Sequence, residues 1–239
     1  MKKFWEFKAL GENTGELFLY GEISDTTWWG DEVTPAQFQK DLAALGDITT
    51  LNIYINSPGG DVFAGFTMYN MLNRHNAQKN VFIDGLAASA ASVVAMAGDI
   101  IKMPSNATLM IHNAWTIARG GADELRKTAD ELERINDQIA DIYSSRTGKD
   151  KSECSVLMEE ETWMSGTEAL SEGFIDEVIE NKKAVACADK GYFASYKNAP
   201  AAPKEPDNGG EIQPAADNDT ALQEQRRKFR AMKIKFLEV

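Results

Sequence analysis

The stretch Leu51-Asn52-Ile53-Tyr54-Ile55-Asn56 alternates apolar and polar residues, runs through Ser57-Pro58-Gly59-Gly60-Asp61, and gives way to Val62, Phe66, Met68, Tyr69 and Leu72 at helical spacing. A half-buried strand that turns sharply into an amphipathic helix has few stable solutions, because the apolar stripe of the helix must cover the apolar face of the sheet. The pattern recurs along the chain. Residues 81–83 predict a strand that leads through a tight turn at Asp84-Gly85 into a small-residue helix over 87–97, stopped by Gly98-Asp99. Strands are expected at 4–9, 17–23, 100–103 and 108–112, with Pro104 in the turn between the last two. Thr34-Pro35 gives an N-cap and a first-turn proline for a helix over 34–45. Leu125, Ala129, Leu132, Ile135, Ile139 and Ile142 mark one long amphipathic helix from Ala122 to about Thr147. Shorter helices follow at 151–158 and, capped by Ser165 and ended by Gly173, at 167–172. Strand and helix alternate, so the expected class is a layered α/β domain.

Composition limits what such a domain can do. Lys+Arg 25 against Asp+Glu 37 gives a net charge of −12. That balance argues against a nucleic-acid surface and against docking on anionic membranes, both of which need clustered positive charge. Glu6 and Lys8 interrupt any apolar signal core near the N-terminus, and the nearly apolar run 86–98 is too short for a spanning helix. Cys154 and Cys187 form neither a disulfide framework nor a metal spacing, and the expected location is cytoplasmic. Residues 1–193 carry the periodic segments. Beyond them, Pro200, Pro203, Pro206, Pro214 and Gly209-Gly210 predict a flexible linker, and Arg226, Arg227, Lys228, Arg230, Lys233 and Lys235 make the tail to residue 239 basic.

Chemistry has few candidates. His75 and His112 are the only histidines, so a zinc site built on several histidines is excluded, and no cofactor is implied. His75 falls at a helix C-terminus, where a cation is favourable without any catalytic task. His112 ends the apolar strand Leu109-Met110-Ile111 at the rim of the sheet; alone, it reads equally well as a structural histidine. Ser89 stands among small residues where a strand passes into a helix, a setting that exposes a hydroxyl beside unpaired backbone N–H groups. A closely packed small-residue helix explains the same composition. Gly59-Gly60 would leave the Gly60 amide uncovered as an oxyanion donor.

Together these pieces become specific. Asn56-Ser57-Pro58-Gly59-Gly60, Gly85-Leu86-Ala87-Ala88-Ser89, Met110-Ile111-His112, and Trp163-Met164-Ser165 with Glu172-Gly173-Phe174-Ile175-Asp176 occur in that order. The series resembles the proteolytic subunit of Clp protease, the ClpP family, over about residues 15–180. The resemblance implies a ClpP/crotonase-like ββα superhelix with a long handle helix, over 122–147, through which two rings meet. It also implies a homo-oligomeric ring, stacked as a double ring, that encloses a chamber for protein or peptide substrates. In the same terms Ser89 is the nucleophile of a serine endopeptidase and His112 its general base. Gly60 and Ala90 supply the oxyanion amides, and residues 113–121 pair with the substrate backbone.

The chain also departs from that pattern. Glu161 stands where the family carries its catalytic aspartate, with Glu159, Glu160 and Asp176 as alternatives, and Ala90 stands where the family has methionine. The N-terminal segment is shorter than the family's axial loop, which argues against docking of an ATP-driven unfoldase. The linker and basic tail resemble those of ClpP-related head-maturation proteases of tailed phages and prophages, which trim capsid and scaffold proteins. The alternatives are a housekeeping ATP-dependent subunit, an acyl-CoA-handling crotonase and an inactive scaffold.

Overall fold

A computed structural model describes residues 4–11, 13–24, 35–180 and 196–198. The chain divides into two compact units, Met1–Ala202 and Pro203–Val239, and every described residue belongs to the first. The expected boundary at residues 193 and 194, Thr34, Cys187 and the basic tail lie outside the described residues.

The elements are β1 (Trp5–Leu10), β2 (Thr14–Tyr20), α1 (Pro35–Ala43), β3 (Thr50–Ser57), α2 (Val62–Asn73), β4 (Gln78–Ala88) and α3 (Ala90–Ala95). They continue with β5 (Ile100–Pro104), β6 (Thr108–Ile111), α4 (Ala122–Thr147), α5 (Lys151–Glu159), β7 (Thr162–Ser165), α6 (Gly166–Ser171) and β8 (Glu177–Ile179). The mixed α/β architecture agrees with the expected ClpP-like class.

Alternation in β3 sets the layers. Leu51, Ile53 and Ile55 are fully buried. Parallel register places Leu17 and Leu19 of β2 beside Ile53 and Ile55, with Val81 and Ile83 of β4 on the other side. These rows form the inner face, and fully burying each such aliphatic side chain stabilises the fold by about 1.5–3 kcal/mol. On the opposite face Phe18, Tyr54 and Phe82 stack across the same three strands, with ring centroids 4.8 and 5.2 Å apart. That aromatic row keeps the outer face of a parallel sheet only half exposed.

The sheet forks at β4. Asn80, Val81 and Phe82 pair with β5, whereas Leu86, Ala87 and Ala88 pair with β6, both in parallel. The expected turn at Asp84-Gly85 is absent, because β4 runs on through both residues to Ala88. Gly85 lies between the residues paired to β5 and those paired to β6, and the two partners hold the strand extended on either side of it. The chain turns instead at Ser89, and the following helix is shorter than expected, Ala90–Ala95. β6 also pairs antiparallel with β7, whose four residues are too few to show an alternating pattern.

The long helix has the bounds its periodicity predicts. Its buried residues, Ile135, Ile139, Ala140 and Tyr143, all lie toward its C-terminal end. Gly148 ends it in a left-handed conformation (φ 72°). Among the described residues no helix is long and apolar enough to cross a membrane.

Candidate active site

Register alone brings the sequence-nominated residues to one place. Ala88 of β4 faces Met110 of β6, so Ser89 and the residues just past Met110 emerge at the same edge of the sheet. The Ser89 N–H donates to the Met110 carbonyl at 3.0 Å and fixes that alignment. His112 Nε2 lies 2.8 Å from Ser89 Oγ. On the other side of β6, Ile111 faces Thr162 of β7. One step further along the antiparallel register, Glu161 comes opposite His112.

The backbone at both ends of this row is unusual. Among the described residues, Ser89 (φ 54°) and Glu161 (φ 51°) are the non-glycine residues with positive φ. Each costs about 1–3 kcal/mol of strain, of a kind that gathers at functional sites. At Ser89 the strain is supported from beneath. Ser92 Oγ donates to the Ser89 carbonyl at 2.6 Å, and Tyr143 Oη lies 2.8 Å from Ser92 Oγ. The sharp strand-to-helix turn lifts the Ser89 side chain out of the sheet as a nucleophile elbow does.

Two glycines shape the neighbouring loop. A Cβ on Gly59 would meet the Ala88 carbonyl and Ser89 Cβ at 2.6 Å, so only glycine lets this loop lie against the elbow. Gly60 (φ 143°) sits between two ladder bonds: Ile23 N–H donates to the Gly59 carbonyl at 2.7 Å, and Asp61 N–H donates to the Ile23 carbonyl at 2.9 Å. Among the described residues the Gly60 N–H has no acceptor, and the residue is exposed. Ala90 opens α3, so its N–H has no intrahelical partner. Ser89, His112, Gly60 and Ala90 all line one cleft of about 580 Å³, with Trp115 and Phe63 exposed at its rim.

Electrostatics distinguish the carboxylates. Burial pulls the His112 imidazole below its ordinary pKa, and the Glu161 charge opposes that fall. Glu161 is 8% exposed. Burial pushes its carboxyl up, but the amides of Asn198 and Lys197, the Trp163 indole and His112 outweigh burial and leave it below the usual carboxylate range. The three N–H donors lie at 2.6, 3.0 and 3.1 Å respectively. Among the described residues no hydrogen bond joins Glu161 to His112. Asp176 is committed elsewhere, accepting from Ile101 N–H at 2.7 Å and pairing with Arg146. Glu159 and Glu160 are exposed at the end of α5. His75 is away from this cleft, its Nδ1 accepting from Ala77 N–H at 3.2 Å.

Sequence reasoning missed Tyr196, which it placed in the linker. Its hydroxyl donates to the Pro58 carbonyl at 2.8 Å, and its ring stands edge-on to His112 and Trp163. One signal was available: Tyr196 is the last aromatic residue before a long polar run that reaches Phe229 without another.

A serine–histidine pair at adjoining strand ends, with an exposed glycine amide across the cleft, has the arrangement of serine hydrolases. The chain belongs to the Clp protease family, whose model matches residues 13–182. It is 33% identical over 169 residues to the ATP-dependent Clp protease proteolytic subunit of Porphyromonas gingivalis, covering 70% of this chain and 74% of that one. It is 35% identical over 135 residues to the subunit of the same name from Ligilactobacillus salivarius, covering 56% of this chain and 68% of that one. The Chlorella vulgaris subunit is likewise 35% identical over 135 residues, covering 56% and 67%.

Proposed function

We propose that the protein is a serine endopeptidase with Ser89 as nucleophile and His112 as general base, working inside a ring of identical subunits. The observation that carries this reading is the 2.8 Å approach of Ser89 Oγ to His112 Nε2 at a strained elbow. Ser89 Oγ attacks the scissile carbonyl carbon while its proton passes to His112 Nε2. The carbonyl oxygen becomes an oxyanion and takes the N–H groups of Gly60 and Ala90. His112 then gives the proton to the leaving amine, and water, activated by the same imidazole, releases the acyl group from Ser89. Glu161 serves as the acid that orients His112 and stabilises its charged form. Exposed Leu125 and the absence of buried residues from the N-terminal half of α4 support assembly through that helix.

A fluorophosphonate probe tests the nucleophile. Labelling is expected on the wild-type protein and lost in Ser89→Ala; labelling that survives the substitution removes Ser89 from the mechanism.

For the substrate, we propose capsid or scaffold proteins of a tailed phage or prophage, a reading supported by the resemblance of the Pro/Gly-rich linker and basic tail. The relatives' name, ATP-dependent Clp protease proteolytic subunit, favours a second reading, a housekeeping subunit fed by an unfoldase. Cleavage of a capsid precursor without nucleotide supports the first. Degradation of a folded substrate only with an unfoldase and ATP supports the second.

A further inference from the structure

We propose that residues 196–198 act as an intramolecular strap that holds this site at rest by engaging the Glu161 carboxylate and covering the flank of His112. The inference rests on the peptidase reading. Three contacts of one short segment converge on three parts of the machinery. The Lys197 and Asn198 amides donate to Glu161 at 3.0 and 2.6 Å. The Tyr196 ring lies edge-on to the His112 ring, 5.4 Å between centroids. The Tyr196 hydroxyl bonds the carbonyl of Pro58, directly before Gly59-Gly60.

The consequence for Glu161 is geometric. An ionised carboxylate has about four acceptor positions, and here N–H donors from Asn198, Lys197 and Trp163 fill three of them. Two of those three donors belong to the strap, so while it is seated the carboxylate is held toward residues 197 and 198 and, among the described residues, makes no hydrogen bond to His112. The register places Glu161 one step past the Ile111–Thr162 pair, opposite His112, so release of the strap frees its carboxylate beside the imidazole it is proposed to orient. Asn198 Nδ2 adds a bond to the Glu160 carbonyl at 2.8 Å, fixing the strap to the backbone beside the acid it holds. Tyr196 also packs with Trp163 on a small apolar cluster of Leu86, Ala88 and Met110, so the strap has a seat of its own.

The test uses the full chain with Tyr196→Ala, which removes the ring and hydroxyl, and separately Asn198→Pro, which removes the shortest amide bond to Glu161. The second-order rate of Ser89 labelling by a fluorophosphonate and kcat/KM on a fluorogenic peptide are measured for each. A strap seated most of the time lowers the competent fraction, so its release is expected to raise both rates about tenfold. A rise in either folded variant, lost again when Ser89→Ala is added, supports the strap. Ser89-dependent labelling that is as fast in wild type as in both variants, or faster, overturns the strap and leaves the peptidase reading standing. No Ser89-dependent labelling in any of the proteins overturns the peptidase reading and the strap with it.

Discussion

Ser92 Oγ and Tyr143 Oη lie 2.8 Å apart beneath the elbow, both sealed from solvent. Because Ser92 donates to the Ser89 carbonyl, the Tyr143 hydroxyl is left as the donor to Ser92. Ser92→Ala would strand that phenol without an acceptor, at a cost of about 1–3 kcal/mol. In a chain of this size each kcal/mol lowers Tm by about 2–4 °C. Thermal unfolding should record the drop, and an unchanged Tm would mean that the pair adds nothing to stability. Tyr143→Phe should cost less, since Ser92 keeps its bond to Ser89.

Gly60→Ala should abolish most turnover. The added Cβ would come within 2.0 Å of the Ile23 carbonyl oxygen, so the loop must move and carry the Gly60 amide with it. Loss of one oxyanion donor lowers kcat by about 10²–10³-fold. Steady-state kinetics on folded protein should find the effect in kcat more than in KM; a variant with unchanged kcat would remove this amide from the site.

The activity should persist to a lower pH than an ordinary histidine allows. As the proposed base His112 would work only when neutral, and burial lowers its pKa, so the acid limb of kcat/KM should fall below about 6.5. Glu161 is the charged group facing it, and Tyr196 packs against its ring. In Glu161→Gln the opposing charge is gone, and the limb should move lower still. A limb at or above the ordinary histidine value in the wild type would contradict this environment.

Substitutions at the acidic candidates should separate them. Glu161→Gln, placed in the strap-released Asn198→Pro background, should lower kcat by up to about 10⁴-fold, as loss of the orienting acid does in other triads. Asp176→Asn should leave turnover per folded molecule unchanged while lowering Tm, because Asp176 holds Ile101 and Arg146. The reverse pattern would transfer the acid role to Asp176.

Elements whose own side chains dictate their form were legible in the sequence. α4 carries a continuous apolar stripe, and β3 a clean alternation. β7 and β8 were not foreseen because Thr162–Ser165 and Glu177–Ile179 are too short to show a period and exist through their pairing with β6 and β5. Gly85 suggested a turn because glycine often makes one, yet a neighbouring backbone decided otherwise. The local settings of Ser89 and His112 mark them only as candidates, the resemblance supplies their roles, and their mutual distance depends on the β4–β6 register, which no single segment encodes. The contact of residues 196–198 with Glu161 was hidden for a similar reason: its bonds come mainly from backbone amides, which every sequence possesses.

The fork in β4 has a mechanical consequence. Only three residues of β4 meet β6, so the splint that brings Ser89 and His112 to one edge is short, and Ala87 within it also pairs with Ser57 of β3. A slip of one residue there, about 3.3 Å along the strand, would carry the imidazole out of reach of the hydroxyl and turn Leu109 and Ile111 out of the core, so burial resists it. The core packing of Leu109, Ile111 and Met164 therefore holds the β6–β7 wing in the one register that keeps the imidazole beside the hydroxyl.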